Sequence, residues 1–394
     1  MKPLDVQEER RVETRVERDE RALESVPFDK EFTIELACQQ FATFVKERGV
    51  AVDNVTVKKF FSALAASRLL VLKGNDDALL KKFVRLLGEY FGTQTALHLC
   101  ANESNDSLLY AKTMDASGLS AIAKVILNTA KEDMTIRIAA IEKVKASTLK
   151  VCLAPIIRYL DQPDREAFVS IKNGMNINTH EIPDTMWFIV TLAAEEKVTA
   201  IPKYILDMAA IVDLNLQYST KPVARPVEET SSTEIVAENA AVAEVTEMPV
   251  AVVRPAVAVY EKETVVKTPV KKLTFSQYKK MVENAAREFH LEEVQWKRVD
   301  KLEEFVDACN DYSIENKTWQ RMEKYVAVYL AAGGEAEEAL DSVLANNLIY
   351  SMLPCVADSK KPLEEKFSAT LETMFGEGHL LQTLKAVKDE GLGV

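Results

Sequence analysis

Short apolar runs alternate with amphipathic stretches along the first half of the chain. Leu69-Leu70-Val71-Leu72 lies between Arg68 and Lys73 with no polar alternation, the pattern of a strand buried on both faces. Four similar runs follow, at Thr95–Cys100, Thr135–Ile141, Met186–Leu192 and Ile211–Leu216. Helical periodicity fills most of the intervals. Phe32, Leu36, Phe41, Phe44 and Val45 suit one helix face within 31–48, with Gly49 as its stop, and further helices are expected over 56–66 and 78–90. Strands that lack alternation, separated by helices, predict an α/β fold with a parallel five-stranded sheet flanked by helices.

The second half is different. Residues 218–270 contain five of the 13 prolines, no glycine and no Phe or Trp, and hydrophobic periodicity is lost. This composition predicts an extended or disordered linker, with 250–259 valine-rich enough to add a strand. From 271 to 394 the pattern is helical. Leu302, Phe305, Val306 and Cys309 share a face, as do Met322, Tyr325, Val326 and Tyr329, then Leu340, Val343, Leu344 and Leu348. Gly333-Gly334 and Pro354 punctuate these helices, which predicts a separate α-helical bundle. At the other end, residues 1–30 interleave Glu with Arg, as in Glu17 and Arg21 at i,i+4, and predict a solvated charged segment. The expected organisation is therefore 1–30 charged, 31–217 α/β core, 218–270 linker and 271–394 helical.

Charge and chemistry narrow the function. With 49 Lys+Arg against 61 Asp+Glu in 394 residues the formal charge is −12, which argues against a protein built mainly to hold nucleic acid. No apolar run reaches a membrane-spanning length, and the Glu/Arg-rich start is unlike a secretory leader, so a cytoplasmic protein is expected. Five cysteines, at 38, 100, 152, 309 and 355, form no CxxC pair and predict buried thiols in a reducing compartment. The four histidines are scattered without HExxH, and GxSxG is absent, so neither a metal site nor an esterase nucleophile is expected.

Three stretches together resemble McrB-like AAA+ proteins. The run from Phe60 to Gly74 (FFSALAASRLLVLKG) is similar to the entry of that family's nucleotide site: a helix, a buried strand and a glycine. Glu181 to Thr191 (EIPDTMWFIVT) resembles its fourth-strand signature, roughly IPxNxWFIGTxN. Lys150 to Asp161 (KVCLAPIIRYLD) lies where the family has the helix after its acidic strand motif. The C-terminal WQRMEKYVAVY and ALDSVLANNLIYSMLP patterns resemble its helical lid. The resemblance implies a five-stranded parallel core with a lid, and nucleotide held between core and lid at a subunit interface. The long 218–270 stretch departs from the family's short connection.

The site positions implied by the resemblance are degenerate. A phosphate loop, GxxxxGK[ST], uses glycines to admit phosphate to backbone N–H groups, a lysine for charge and a hydroxyl for Mg²⁺. Here Gly74 opens the loop, and Asn75-Asp76-Asp77-Ala78-Leu79-Leu80-Lys81 follows. Leu79 replaces the second glycine, Leu80 the lysine and Lys81 the hydroxyl residue. Asp76 and Asp77 put carboxylates where polyphosphate would lie, and like charges about 4 Å apart repel by about 4 kcal/mol at an effective dielectric of about 20. Lys81 and Lys82 come one and two places late, each turned by about 100° on a helix, and are not expected to compensate. The acidic strand pair falls on Glu142 and Lys143, the water-orienting residue on Ala193, and the trans-acting arginine on Met208. Lys143 cannot take a proton from water while charged.

The sequence therefore points to an AAA+-like protein without nucleotide turnover, with no catalytic residue, bound cofactor or metal expected. Its role would be that of a structural or regulatory subunit, assembling with itself or with a related AAA+ subunit. Two alternatives stay open: a family member that retains nucleotide binding or hydrolysis, and a helical adaptor.

Overall fold

The computed structural model describes residues 33–93, 95–99, 121–128, 135–157, 160, 168–173, 176–193, 195–214, 216–219, 273–310, 313–350, 352, 361–376 and 378–389. The charged 1–30 segment and Pro354 lie outside them, as does 218–270 except for Tyr218 and Ser219.

The chain begins with α1 (Ile34–Glu47), whose first turn is closed by the Thr33 hydroxyl accepting from Leu36 N–H at 3.2 Å. After the two-residue β1 (Val50–Ala51), Asp53 caps α2 (Asn54–Ala66) by accepting from Thr56 N–H at 2.8 Å. Then come β2 (Leu69–Gly74), α3 (Asp77–Tyr90) and β3 (Thr95–Leu99). They are followed by α4 (Ala121–Asn128), β4 (Arg137–Val144) and α5 (Ala146–Leu153). β5 (Phe168–Asn173) and β6 (Asn176–Glu181) precede β7 (Met186–Leu192), the short α6 (Lys203–Leu206), β8 (Ala209–Leu214) and β9 (Gln217–Tyr218).

The central sheet has the order β3-β4-β7-β2-β8, with every neighbouring pair parallel. Both faces are covered, which is why the strands carry unbroken apolar runs. Leu69, Val71, Ala139, Ile141, Phe188, Val190 and Ile211 share one core with residues of α4, α5 and α6. On the other face, α1, α2 and α3 meet through an aromatic cluster in which Phe41 lies 5.6 Å from Phe61, 5.5 Å from Phe83 and 5.2 Å from Tyr90. Such pairs add about 0.5–1.5 kcal/mol each beyond burial.

The strand boundaries shift from their expected places. β4 starts at Arg137 and runs through Val144, and β8 starts two residues early, at Ala209. α5 stops at Leu153, and Pro155 falls within a 3₁₀ turn, so the helix expected over 150–161 is interrupted. The antiparallel β5–β6 hairpin was not anticipated. Its sequence signal is the glycine at position 174, directly after Asn173, the last paired residue of β5. The expected linker start also moves, since Tyr218 pairs with Val50 in the β1–β9 ladder.

The C-terminal helices are α7 (Phe275–Glu288), α8 (Glu293–Asn310), α9 (Asn316–Ala331), α10 (Ala336–Val343), α11 (Lys361–Phe375) and α12 (His379–Asp389). A π-helical turn, Leu344–Leu348, extends α10. Thr274 and Gln277 form a reciprocal capping box at the start of α7. These helices do not stand apart as a separate bundle. They belong to one compact unit with the α/β layers, α9 lying along α2 and the π turn against β8. The buried Tyr278 hydroxyl donates to Phe61 O at 3.0 Å, and Lys58 Nζ donates to Gly333 O at 2.6 Å. Gly334 permits the sharp α9–α10 turn, because a Cβ there would lie 2.2 Å from the Tyr329 ring.

Candidate functional site

In parallel α/β sheets a ligand crevice opens beyond the strands' carboxyl ends, where adjacent strands send their connections over opposite faces. Here that place is between β2 and β7. β2 leads through α3 to β3, with Phe83 in the aromatic cluster, whereas β7 leads through α6 to β8, with Ile205 and Leu206 in the opposite core. The N-terminus of α3 opens at this crevice, and its N–H groups and dipole would suit an anion.

The chain's own side chains fill that position. The Asp76 carboxylate accepts from Ala78 N–H at 2.8 Å and Leu79 N–H at 2.9 Å, capping α3. Those backbone bonds hold its carboxyl below the usual carboxylate range, and the Tyr218 hydroxyl donates to its second oxygen at 3.2 Å. Leu79 and Leu80 are buried and serve the core beneath the helix. Gly74 has a packing reason, since a Cβ there would lie 2.9 Å from Leu214 O and 2.9 Å from Leu80 Cδ2.

Two ion pairs cross the mouth of the crevice from α3 to the end of β4. Lys81 Nζ donates to Glu142 Oε2 at 2.9 Å, and Lys143 Nζ lies 3.3 Å from Asp77 Oδ2. Lys81, not expected to compensate for the missing phosphate-loop lysine, bridges directly to β4. Lys82 turns the other way, toward Gly49. The acids are therefore not a bare repulsive pair, because Asp76 is held by backbone and Asp77 by Lys143.

The end of β4 is irregular. Its pairing with β7 shifts between Ile141 and Val144, and Lys143 adopts a left-handed backbone with φ of 53°. That conformation is uncommon for a non-glycine residue and is held by Lys143 N–H donating to Thr191 Oγ1 at 3.1 Å. The bulge leaves Glu142 only 4% exposed and Lys143 turned out. Glu142 Oε1 is buried with no hydrogen-bond partner. Among the described residues, no three His, Cys, Asp or Glu side chains gather as a metal ion would require.

The fold brings Gly74, Asp76, Asp77, Leu79, Leu80, Lys81, Glu142, Lys143 and Ala193 to the same sheet edge. Ala193 follows β7 and its N–H donates to Val144 O at 3.3 Å. Met208 is not part of this group. It precedes β8 at the opposite edge, is buried, and its carbonyl accepts from Ser67 Oγ at 2.7 Å. Three participants carried no recognisable sequence signal. They are Thr191, Tyr218 and Glu196, the last accepting from Ala146 N–H at 2.9 Å where Lys145 supplies no cap to α5.

No protein-family description matches this chain, and a comparison with curated proteins finds no similar one. No helix among the described residues is long and apolar enough to cross a membrane.

Proposed function

We propose that this chain is a nucleotide-silent, McrB-like AAA+ subunit whose role is structural or regulatory, assembling with itself or with an active relative. The observation that carries the reading is the Asp76 carboxylate seated on the N–H groups of Ala78 and Leu79. A phosphate would need those same donors, and it would meet the charge of Asp76 there. The burial of Leu79 and Leu80 supports the same conclusion, because the loop's glycine and lysine have become core residues. The parallel sheet with α3 leaving the end of β2 supports the scaffold part of the reading, and the crossed ion pairs support a closed crevice. The bulged end of β4 holds no second carboxylate beside Glu142, only Lys143. One fold can host several functions, so a scaffold without the chemistry can serve as a contact surface.

The test has two arms. Calorimetry with ATP and GTP plus Mg²⁺, beside a phosphate-release assay, is expected to show neither binding nor turnover at the crevice. Micromolar binding weakened by substitution at Lys81 or Lys143 would overturn the silent reading. Sedimentation across a wide concentration range is expected to show self-association, or else a stoichiometric partner on copurification. A monomer with no partner leaves the assembly role without support.

A further inference from the structure

A second region differs from the closed crevice in having open volume and an excess of basic lining residues. At the amino ends of the strands, between the end of α2 and helices α7 and α9, lies a cavity of about 440 Å³. That is within the roughly 300–1,000 Å³ of small-molecule pockets. Five basic residues line it, Arg68, Lys279, Lys317, Arg321 and Lys324, and one acidic residue, Glu283; Lys317 is also paired with Glu315 at 3.1 Å, and Asp207 faces Arg321 and Lys317. In a chain of net charge −12 the lining itself still carries more cations than anions. A concave, partly apolar wall strengthens such a field relative to open water.

Arg68 is the informative residue. Its guanidinium carbon lies 4.2 Å from the Trp187 ring centroid and 5.2 Å from that of Phe275. Trp187 is itself fixed, its indole N–H donating to Leu64 O at 2.9 Å. The aromatic faces stabilise the cation but accept no conventional hydrogen bond, and Arg68 Nη1 is buried with no hydrogen-bond partner. An unsatisfied nitrogen on a charged group is costly, and a planar guanidinium is best matched by a carboxylate or phosphate. Arg321 is held in place by donating to Asp207 O and, at 3.1 Å, to Thr318 Oγ1. Leu160, Trp187, Met208 and Phe275 give the remaining wall an apolar side, beside the polar Ser67 and Gln320.

From this arrangement we propose that the cavity at the amino ends of the strands binds a small organic anion, a carboxylate or phosphate carried on an apolar body. The charged group is recognised by the basic wall around Arg68 and Arg321, and the apolar body lies against the Met208 and Phe275 side. The site is separate from the crevice at Gly74, at the far end of a six-residue strand of about 20 Å.

The experiment uses matched probes on the full chain. Titration calorimetry compares 2-naphthoate and 2-naphthyl phosphate with the neutral 2-naphthamide. At least one anion is expected to bind with a Kd at or below about 1 mM, and the amide about tenfold or more weaker. Lys317→Gln with Lys324→Gln, two lysines of the cavity wall, is expected to weaken that anion about threefold or more and to flatten its salt dependence. Arg68→Met is expected to abolish anion binding where circular dichroism shows a native fold; where it does not fold, the lysine pair decides. Equal affinity for the amide, anion binding unmoved by the lysine pair, or no anion binding at several times the expected Kd would each overturn the proposal.

Discussion

The two ends of the central sheet handle charge differently. At the carboxyl ends acids and bases pair across the crevice: Asp76 takes the α3 N–H groups, Lys81 takes Glu142, and Lys143 takes Asp77, with only the second oxygen of Glu142 unpartnered among these. At the amino ends Arg68 is buried against aromatic rings with one nitrogen unpartnered, beside a cavity with an excess of cations. The difference teaches that a crevice at the customary place for a ligand need not be a binding site. What matters is which donors the fold leaves without an acceptor. A helix N-terminus capped by its own aspartate has little left to offer a phosphate, whereas Arg68 Nη1 still lacks an acceptor.

The strongest way to break the comparison is Trp187→Ala. Trp187 joins Arg68, Phe275 and Tyr278 and anchors α7 to the sheet. Its loss is expected to cost about 3–5 kcal/mol in denaturant unfolding. A cost below about 1 kcal/mol would mean that the C-terminal helices do not depend on this junction. Next is Gly74→Ala, which sets a methyl group 2.9 Å from Leu214 O. It is expected to destabilise by about 1–3 kcal/mol. A neutral result would remove the packing explanation for this glycine.

A smaller effect tests the crossed ion pairs. Lys81 is 56% exposed, so the pair itself contributes only the modest energy of a surface bridge. Removing it still strands a buried carboxylate. Lys81→Met is expected to cost about 1–2 kcal/mol by thermal or denaturant unfolding, because both Glu142 oxygens are then unpartnered. Lys81→Met with Glu142→Leu should regain most of that loss, since an apolar pair needs no partner. An unimproved double variant would show that Glu142 is not the source of the cost.

The smallest effect is a pH dependence. The Asp76 carboxyl is held below its ordinary value, chiefly by the backbone bond from Leu79. Its contribution is therefore present above the unfolded-chain value, near pH 4, and is lost as pH falls through the lower folded value. Asp76→Asn keeps a capping side chain but removes the titration. The variant's melting temperature should fall less steeply than the parent's between about pH 5 and pH 2. Parallel curves would mean that Asp76 is not engaged in solution as it is here.

Much of the layered fold was legible from local pattern. A run such as Met186–Leu192 has apolar side chains at nearly every position because helices cover both faces, and it coincides with β7. The caps at Thr33, Asp53 and Thr274 emerge only from the structure, although each bonds within three residues. The turn after Gly74 was only partly legible: Asp76 caps the helix that follows it locally, whereas helix rotation alone says nothing of what approaches Lys81 from another strand. The β4 bulge that turns Glu142 inward and Lys143 outward depends on Thr191, nearly fifty residues away in sequence.

By itself the sequence determined the main buried strands and the helices of the first 90 residues, because those choices depend on neighbours within a few positions. It also set Asp76 and Asp77, and then Leu79, Leu80 and Lys81, after Gly74. Only the tertiary structure decided what these residues do: that Asp76 caps a helix, and that Lys81 crosses to a buried glutamate. It alone placed Arg68 and Trp187 beside Phe275, Arg321 and Lys324, residues separated by up to about 250 positions, in one cavity. The physical reason is that burial and Coulombic energy depend on distance and solvent exclusion, which the order of residues does not specify until the chain is packed.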